Sequence, residues 1–264
     1  MAYFFLVLWL GISLAASYLA ARMWSGMLGK AYGWFLYPGI IVHELSHAAG
    51  CLMTGATVTK LSISENEGGR CEHTAPRIPV LGQVIVGMAP IIGGAAVLYL
   101  ICVLLSPEAL SGVPLLPGSL TFSPSGFGQF AREALEPVWK VANYLISAQF
   151  SHFGTYVFIY LLFAVATAWG PSKKDWSNSA KGIVFLLLLM LAAHFVARGL
   201  GKAGELQSVI TRPVMPILSF SFAVEILICI VTLCIWVIYR VMRAIFGKSK
   251  AKGEGEGKKK GSDR

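Results

Sequence analysis

The chain has 264 residues, of which 56% are hydrophobic and only 13% are charged. A soluble domain carries about a quarter charged residues, so this composition excludes an ordinary water-soluble protein and indicates one built in lipid. The formal net charge of +9 does not indicate a nucleic-acid-binding protein. Residues 248–264 hold seven Lys and Arg against three acids, and aromatic residues do not interleave with the basic ones.

Six apolar segments along the chain are candidates to span a bilayer. A spanning helix needs about 20 apolar residues, and it must be a helix because lipid offers no partner to an unpaired backbone amide. We therefore predict an all-α membrane protein with about six transmembrane helices, in one polytopic domain over residues 1–246. The predicted spans cover residues 2–21, 33–53, 80–105, 143–169, 182–197 and 220–239.

The third of these segments contains several glycines and Pro90. This pattern is typical either of a broken or re-entrant element or of a helix that packs closely through small residues. The first segment begins at the N-terminus without preceding basic residues, so we predict a retained spanning helix rather than a cleaved signal peptide.

Two loops have patterns of their own. Residues 58–74 alternate in polarity around a Gly-containing turn, which predicts a β-hairpin. Residues 106–140 begin rich in Pro and Gly and end in a predicted interfacial helix near residues 127–139.

The distribution of basic residues predicts the orientation of the chain. Six spans put both termini on one side, and fifteen of the 22 Lys and Arg then fall on that side. By the positive-inside rule, both termini and the hairpin are cytoplasmic, in a multi-pass protein of the cell membrane. Residues 247–264 are polar, basic and Gly-rich, so we predict a disordered cytoplasmic tail with anionic lipid as its natural partner.

The second span carries the sequence His43-Glu44-Leu45-Ser46-His47. On a helix, residues four apart lie on the same face, about 6 Å apart along the axis, so His43 and His47 can hold one zinc ion. Glu44 stands beside the first ligand, where it can act as the general base for the attacking water. Buried charge is costly in a membrane helix, and a metal would compensate it.

A catalytic zinc keeps three protein ligands, so a third must come from elsewhere in the chain. The predicted topology puts His43 and His47 near the cytoplasmic end of their span. Asp175 follows the fourth span on that same side, and it is one of only two aspartates, the other being in the tail. We therefore predict one Zn²⁺ per chain on His43, His47 and Asp175, with Glu44 as the catalytic residue.

The five cysteines are odd in number and give no disulfide framework. Four of them lie in or beside apolar helices, where cysteine packs as a small hydrophobe. Cys71 shares a loop with His73, but two candidate ligands do not make a zinc site.

These residues resemble the site-2 protease family of intramembrane zinc metalloproteases. The resemblance is carried by residues 38–47 and by an aspartate two spans later, and it covers roughly residues 33–182. It implies that His43, His47 and Asp175 match the family's metal ligands and Glu44 its catalytic glutamate. It further implies a membrane-anchored protein substrate, cut within or near its transmembrane segment. The segment Gly170–Trp176 departs from the family's usual aspartate motif, which is typical of a divergent branch.

Two other functions are compatible with the sequence. A membrane zincin that clips at the membrane surface would take a glutamate as third ligand, which here means Glu205 or Glu225 on the predicted outer side. A scaffold or transporter without enzymatic activity would use its buried charges as an ion path. The absence of paired repeats and the metal-ligand spacing on one helix favour the protease.

Overall fold

A computed structural model describes residues 2–64, 68–148, 152–170 and 176–259 of the chain. Within these residues the protein is mostly α-helical, with one antiparallel two-stranded sheet. The helices are α1 (Ala2–Leu28), α2 (Ala31–Phe35), α3 (Tyr37–Met53), α4 (Pro79–Leu105), α5 (Pro124–Ser147), α6 (Phe153–Trp169), α7 (Trp176–Gly199) and α8 (Ala203–Lys259), and the strands are β1 (Val58–Ser64) and β2 (Gly68–His73).

Four helices are long and apolar enough to cross a membrane, within the part of the chain that is described. They contain the segments Phe4–Leu28, Leu81–Leu105, Ala180–Gly199 and Ala203–Phe246. The predicted count of six spans is therefore not confirmed. The predicted second and fourth spans correspond to α3 and α6, which have 17 residues each. At 1.5 Å per residue, such a helix is only about 26 Å long, which is shorter than the hydrocarbon core of a typical bilayer.

The fourth predicted span, residues 143–169, is wrong in its extent. α5 ends at Ser147, and α6 begins at Phe153 after an extended His152. α5 is amphipathic, since it buries Val138 and Val141 and leaves Trp139 exposed, and the residues between α5 and α6, 147–152, are mostly polar. The predicted interfacial helix at residues 127–139 is thus present, but it continues to Ser147.

α4 is one continuous helix of 27 residues, with Pro90 inside it. Of the two alternatives for this segment, the structure has the closely packed helix. A Cβ at Gly93 would overlap Ser46 of α3, and one at Gly94 would overlap the Trp169 ring of α6. α8 runs past residue 246 to Lys259, into the segment predicted as a disordered tail.

The hydrophobic core lies mainly between α1, α4, α5, α6 and α8. Trp9 of α1 stacks on Phe130 of α5 at 5.2 Å between ring centroids. Ser17 of α1 donates to the carbonyl of Ala166 and accepts from the N–H of Gly170, both at 2.8 Å. These two hydrogen bonds fix the C-terminal turn of α6, which also contacts α3.

Candidate metal centre

α3 carries the predicted site and is held by neighbours on both sides. Pro38 lies in its first turn, where the missing N–H of proline has no cost. Its C-terminal end is followed by Gly55 with φ +69°, the left-handed conformation that glycine adopts most easily. Between these ends, the helix buries His43, Glu44 and His47, which are 8%, 6% and 8% exposed, while Leu45 on the other face is 50% exposed.

His43 is oriented by α6. Its Nδ1–H donates to the carbonyl oxygen of Ala168 at 3.0 Å. Ala168 lies in the last turn of α6, where carbonyl groups have no donor within their own helix. The contact requires α3 and α6 to lie close together, and Gly39 permits this because a Cβ there would overlap the backbone of Ala164.

His47 is oriented by α4. Its Nδ1–H donates to the carbonyl oxygen of Val86 at 2.9 Å, in a buried hydrogen bond. In an uninterrupted helix this carbonyl would accept from the N–H four residues later. That residue is Pro90, which has no N–H. The Val86 carbonyl therefore has no donor within α4 and is available to the imidazole of His47.

The two imidazoles fit a zinc ion. Their ring centroids are 5.0 Å apart. Because each Nδ1 donates to a carbonyl, Nε2 is the nitrogen that would ligate the metal in both rings. Histidine ligands of metals almost always have such a second-shell partner, which fixes the tautomer and the direction of the ring.

The third predicted ligand, Asp175, lies outside the described residues. Among the residues that are described, no three His, Cys, Asp or Glu side chains are grouped as a metal site. Glu225 is fully buried in α8, which packs mainly against α1 and α5, and Glu205 is exposed in the first turn of α8. Neither glutamate is grouped with the two histidines, so the surface-clipping alternative gains no third ligand from the described residues.

The predicted hairpin is confirmed, and β2 lies over Glu44. Strands β1 and β2 pair antiparallel, with Ile63 opposite Gly69 and Leu61 opposite Cys71. A Cβ at Gly69 would overlap the Glu44 side chain, so only a glycine fits here. The hairpin therefore covers Glu44 on the buried face of α3.

Cys71 shares the face of β2 that points at α3. Burial raises the pKa of the Cys71 thiol to about 11, and the neighbouring Cys51 thiol and Glu44 carboxylate add to the shift. The Cys51 and Cys71 thiols are close enough to affect each other's pKa. Arg70 and Glu72, on the opposite face of the strand, form a salt bridge at 2.9 Å.

Several of these supporting groups were not predicted from the sequence. The partners of the two histidines are the backbone carbonyls of Val86 and Ala168, and the side chains of these residues give no indication of that role. Pro90, four residues after Val86, is the signal that could have revealed the first of them. Gly69 could have been found only with the hairpin already placed on α3.

Paired imidazoles with an adjacent glutamate on one helix are the arrangement found in zinc metallopeptidases. Consistent with this, residues 13–120 match the sequence profile of the family described as Peptidase M50B-like. The match includes most of α1, all of α3, the hairpin and α4, and it confirms the resemblance to the site-2 protease family of membrane metalloproteases. No curated protein and no solved structure matches the chain at a significant level.

Proposed function

We propose that this protein is an intramembrane zinc metalloprotease that hydrolyses peptide bonds of membrane-anchored proteins, within or near their transmembrane segments. The observation that carries the proposal is the pair of histidines on α3, each held through Nδ1 by a backbone carbonyl, with Glu44 beside them. The family match supports the same chemistry, since peptidases of this family are generally zinc-dependent.

One zinc ion per chain would be held by Nε2 of His43, Nε2 of His47 and the carboxylate of Asp175. When bound, the ion would supply Lewis acidity to the reaction. His43 and His47 are neutral ligands, so the carboxylate of Asp175 would supply the negative charge in the ligand set. The hydrogen bonds to Ala168 and Val86 keep the rings from rotating away when the metal is absent.

Glu44 moves the proton in the proposed reaction. Its carboxylate takes a proton from the attacking water and passes it to the nitrogen of the leaving amine. The residue is only 6% exposed, and Gly69 covers it. A low-dielectric surrounding strengthens the interaction of the carboxylate with the developing charges.

The hairpin is the proposed substrate-binding element. A helical substrate hides its amides and must become extended before attack. In a two-stranded sheet each strand has one unpaired edge, so an extended peptide could add to the hairpin as a third strand. Proline at Leu61 or Ile63 should slow cleavage without loss of zinc, and unchanged cleavage would disprove this mode of binding.

The proposed membrane orientation follows from the distribution of charge. Both termini and the hairpin face the cytoplasm, and the basic segment at residues 247–264 contacts anionic lipid. The metal then lies nearer the cytoplasmic face than the bilayer centre, where water can reach it.

The test of this function compares wild type with Glu44→Gln, both reconstituted in lipid vesicles with a set of single-span membrane proteins. We expect both proteins to bind zinc, because Glu44 is not a ligand, and only wild type to cut. The cut should fall within or near the span of the substrate, as mapped by mass spectrometry. Equal cleavage by Glu44→Gln would refute the assignment of the catalytic residue.

A further inference from the structure

The hairpin is attached to α3 at a second place besides Glu44. Gly69 and Cys71 are two residues apart on β2, so they lie on the same face of the strand. Glu44 and Cys51 are seven residues apart on α3, so they lie on the same face of the helix. Gly69 contacts Glu44, and the same two faces bring Cys71 towards Cys51, so that each thiol affects the pKa of the other.

We propose that Cys51 and Cys71 are a disulfide-forming pair that fastens the hairpin over Glu44 and closes the site. The two thiols come from different elements, a helix and the strand that covers it. A bond between them would therefore join the active-site helix to its cover. The pairing itself needs no assumption about function, but the claim that it closes the site rests on the proposed peptidase function.

The surroundings of the two sulfur atoms favour an intramolecular bond. Cys51 is fully buried beside Ala56 and Val86, while Cys71 is partly exposed. A small-molecule disulfide can therefore reach Cys71 but not Cys51. To form the bond, the two sulfurs must approach to roughly 2.05 Å, the length of a disulfide.

The oxidant is a low-molecular-weight disulfide, and the reaction is two successive exchanges. Cys71 attacks one sulfur of the small disulfide, forms a mixed disulfide and releases one small thiol. Cys51 then attacks the sulfur of Cys71 and releases the second small thiol. One small disulfide and two cysteine thiols thus give one protein disulfide and two small thiols, with both protons carried away by the products.

The disulfide would hold the hairpin in the position in which it covers Glu44. The catalytic glutamate and both histidines are each less than 10% exposed with the hairpin in place. A peptide can reach Glu44 only when β2 lifts from α3. In a reducing compartment the thiols leave the hairpin free to lift, and under oxidative conditions the disulfide holds it down.

The experiment uses the full-length protein in detergent, equilibrated for hours with glutathione disulfide and then with a dithiol reductant. Mass spectrometry of the alkylated protein should show loss of two hydrogen atoms and a cross-linked peptide pair containing Cys51 and Cys71. Cys51→Ser and Cys71→Ser should not form it, and Cys234→Ser should form it as wild type does. Thiols that stay fully alkylatable, or glutathione adducts alone, would overturn the proposal.

A second readout follows the hairpin itself. Trypsin cuts after Lys60 and Arg70, both exposed in the hairpin. The disulfide should slow these cuts about tenfold, because it suppresses local opening of the hairpin. Unchanged trypsin cleavage of the cross-linked protein would overturn the closing role. Neither readout requires peptidase activity, so a failure of the proposed function would appear only in substrate cleavage.

Discussion

Pro90 differs from alanine at this position by one N–H group, and α4 would direct that group at the carbonyl that His47 uses. In Pro90→Ala, the new N–H lies four residues after Val86 and donates to its carbonyl. It therefore competes with the 2.9 Å hydrogen bond from Nδ1 of His47. We expect the imidazole to lose part of its orientation, and the zinc affinity to fall.

The size of the effect follows from the bond that is weakened. A hydrogen bond contributes about 0.5–1.5 kcal/mol net, or about two- to thirteenfold in an equilibrium constant. Changes to the second partner of a metal-bound histidine typically cost about 10–100-fold in affinity. A carbonyl has two lone pairs and can share them between two donors, so we expect about a tenfold loss, where the two ranges meet.

The effect on folding has the opposite sign. Proline inside a helix costs about 3 kcal/mol or more when the helix does not accommodate it, so its removal should leave thermal stability unchanged or raise it. A purely structural role for Pro90 predicts that zinc affinity and stability change together. If Pro90 positions His47, zinc affinity falls in Pro90→Ala while thermal stability does not.

The assay is competition for zinc between the purified protein and a chelator, with thermal unfolding of the metal-free protein measured beside it. Pro90→Val tests whether the size of the side chain matters, since it restores the same N–H. Pro137→Ala is the matched control, because Pro137 lies inside α5, which does not carry the site. Zinc affinity of both Pro90 variants within twofold of wild type would refute the reasoning.

Three further results are expected. Gly39→Ala should destabilise the fold by about 1–3 kcal/mol and weaken zinc binding, because the new Cβ overlaps the backbone of Ala164 and forces α3 away from α6; thermal unfolding and chelator competition measure this. Gly69→Val should lift β2 from Glu44 and speed trypsin cleavage of the hairpin. Alkylation of Cys71 should accelerate about tenfold per pH unit from pH 7 towards its pKa of about 11, because the thiolate reacts and the thiol does not.

Each of these three predictions has a control or an outcome that would contradict it. Gly26→Ala and Gly118→Ala introduce a Cβ into open space and should leave stability and trypsin cleavage unchanged. For Gly39→Ala, wild-type zinc affinity would contradict the role of the α3–α6 contact. An unaltered trypsin rate in Gly69→Val would contradict the covering of Glu44 by β2. A pH-independent rate for Cys71 would show that the thiol is not protonated at neutral pH.

The sequence predicts those parts of the molecule in which a local pattern decides the structure. The alternation in residues 58–74 gave the hairpin, and the His43–His47 spacing put both imidazoles on one face of α3. Close packing of α4 was one of two alternatives, and its small residues allowed the contacts that the structure has. The matched segment, residues 13–120, contains all three features.

Other parts depend on contacts between distant segments, which no local pattern specifies. The predicted fourth span joined the end of α5 to α6 across the mostly polar residues 147–152, because apolar residues lie on both sides of them. The covering of Glu44 depends on how the hairpin folds back on α3. The role of Asp175 and the count of six spans stay predictions, as do the metal-ligand roles of His43 and His47.

The central claim is that α3 binds a zinc ion, and the metal content of the detergent-purified protein tests it most directly. Wild type is measured beside His43→Ala and Asp175→Ala, with chelators excluded during purification. We expect about one zinc per chain in wild type and loss of zinc in both variants, as three-ligand coordination requires. Retention of zinc in Asp175→Ala would contradict the third ligand, and zinc-free wild type would contradict the metalloprotease itself.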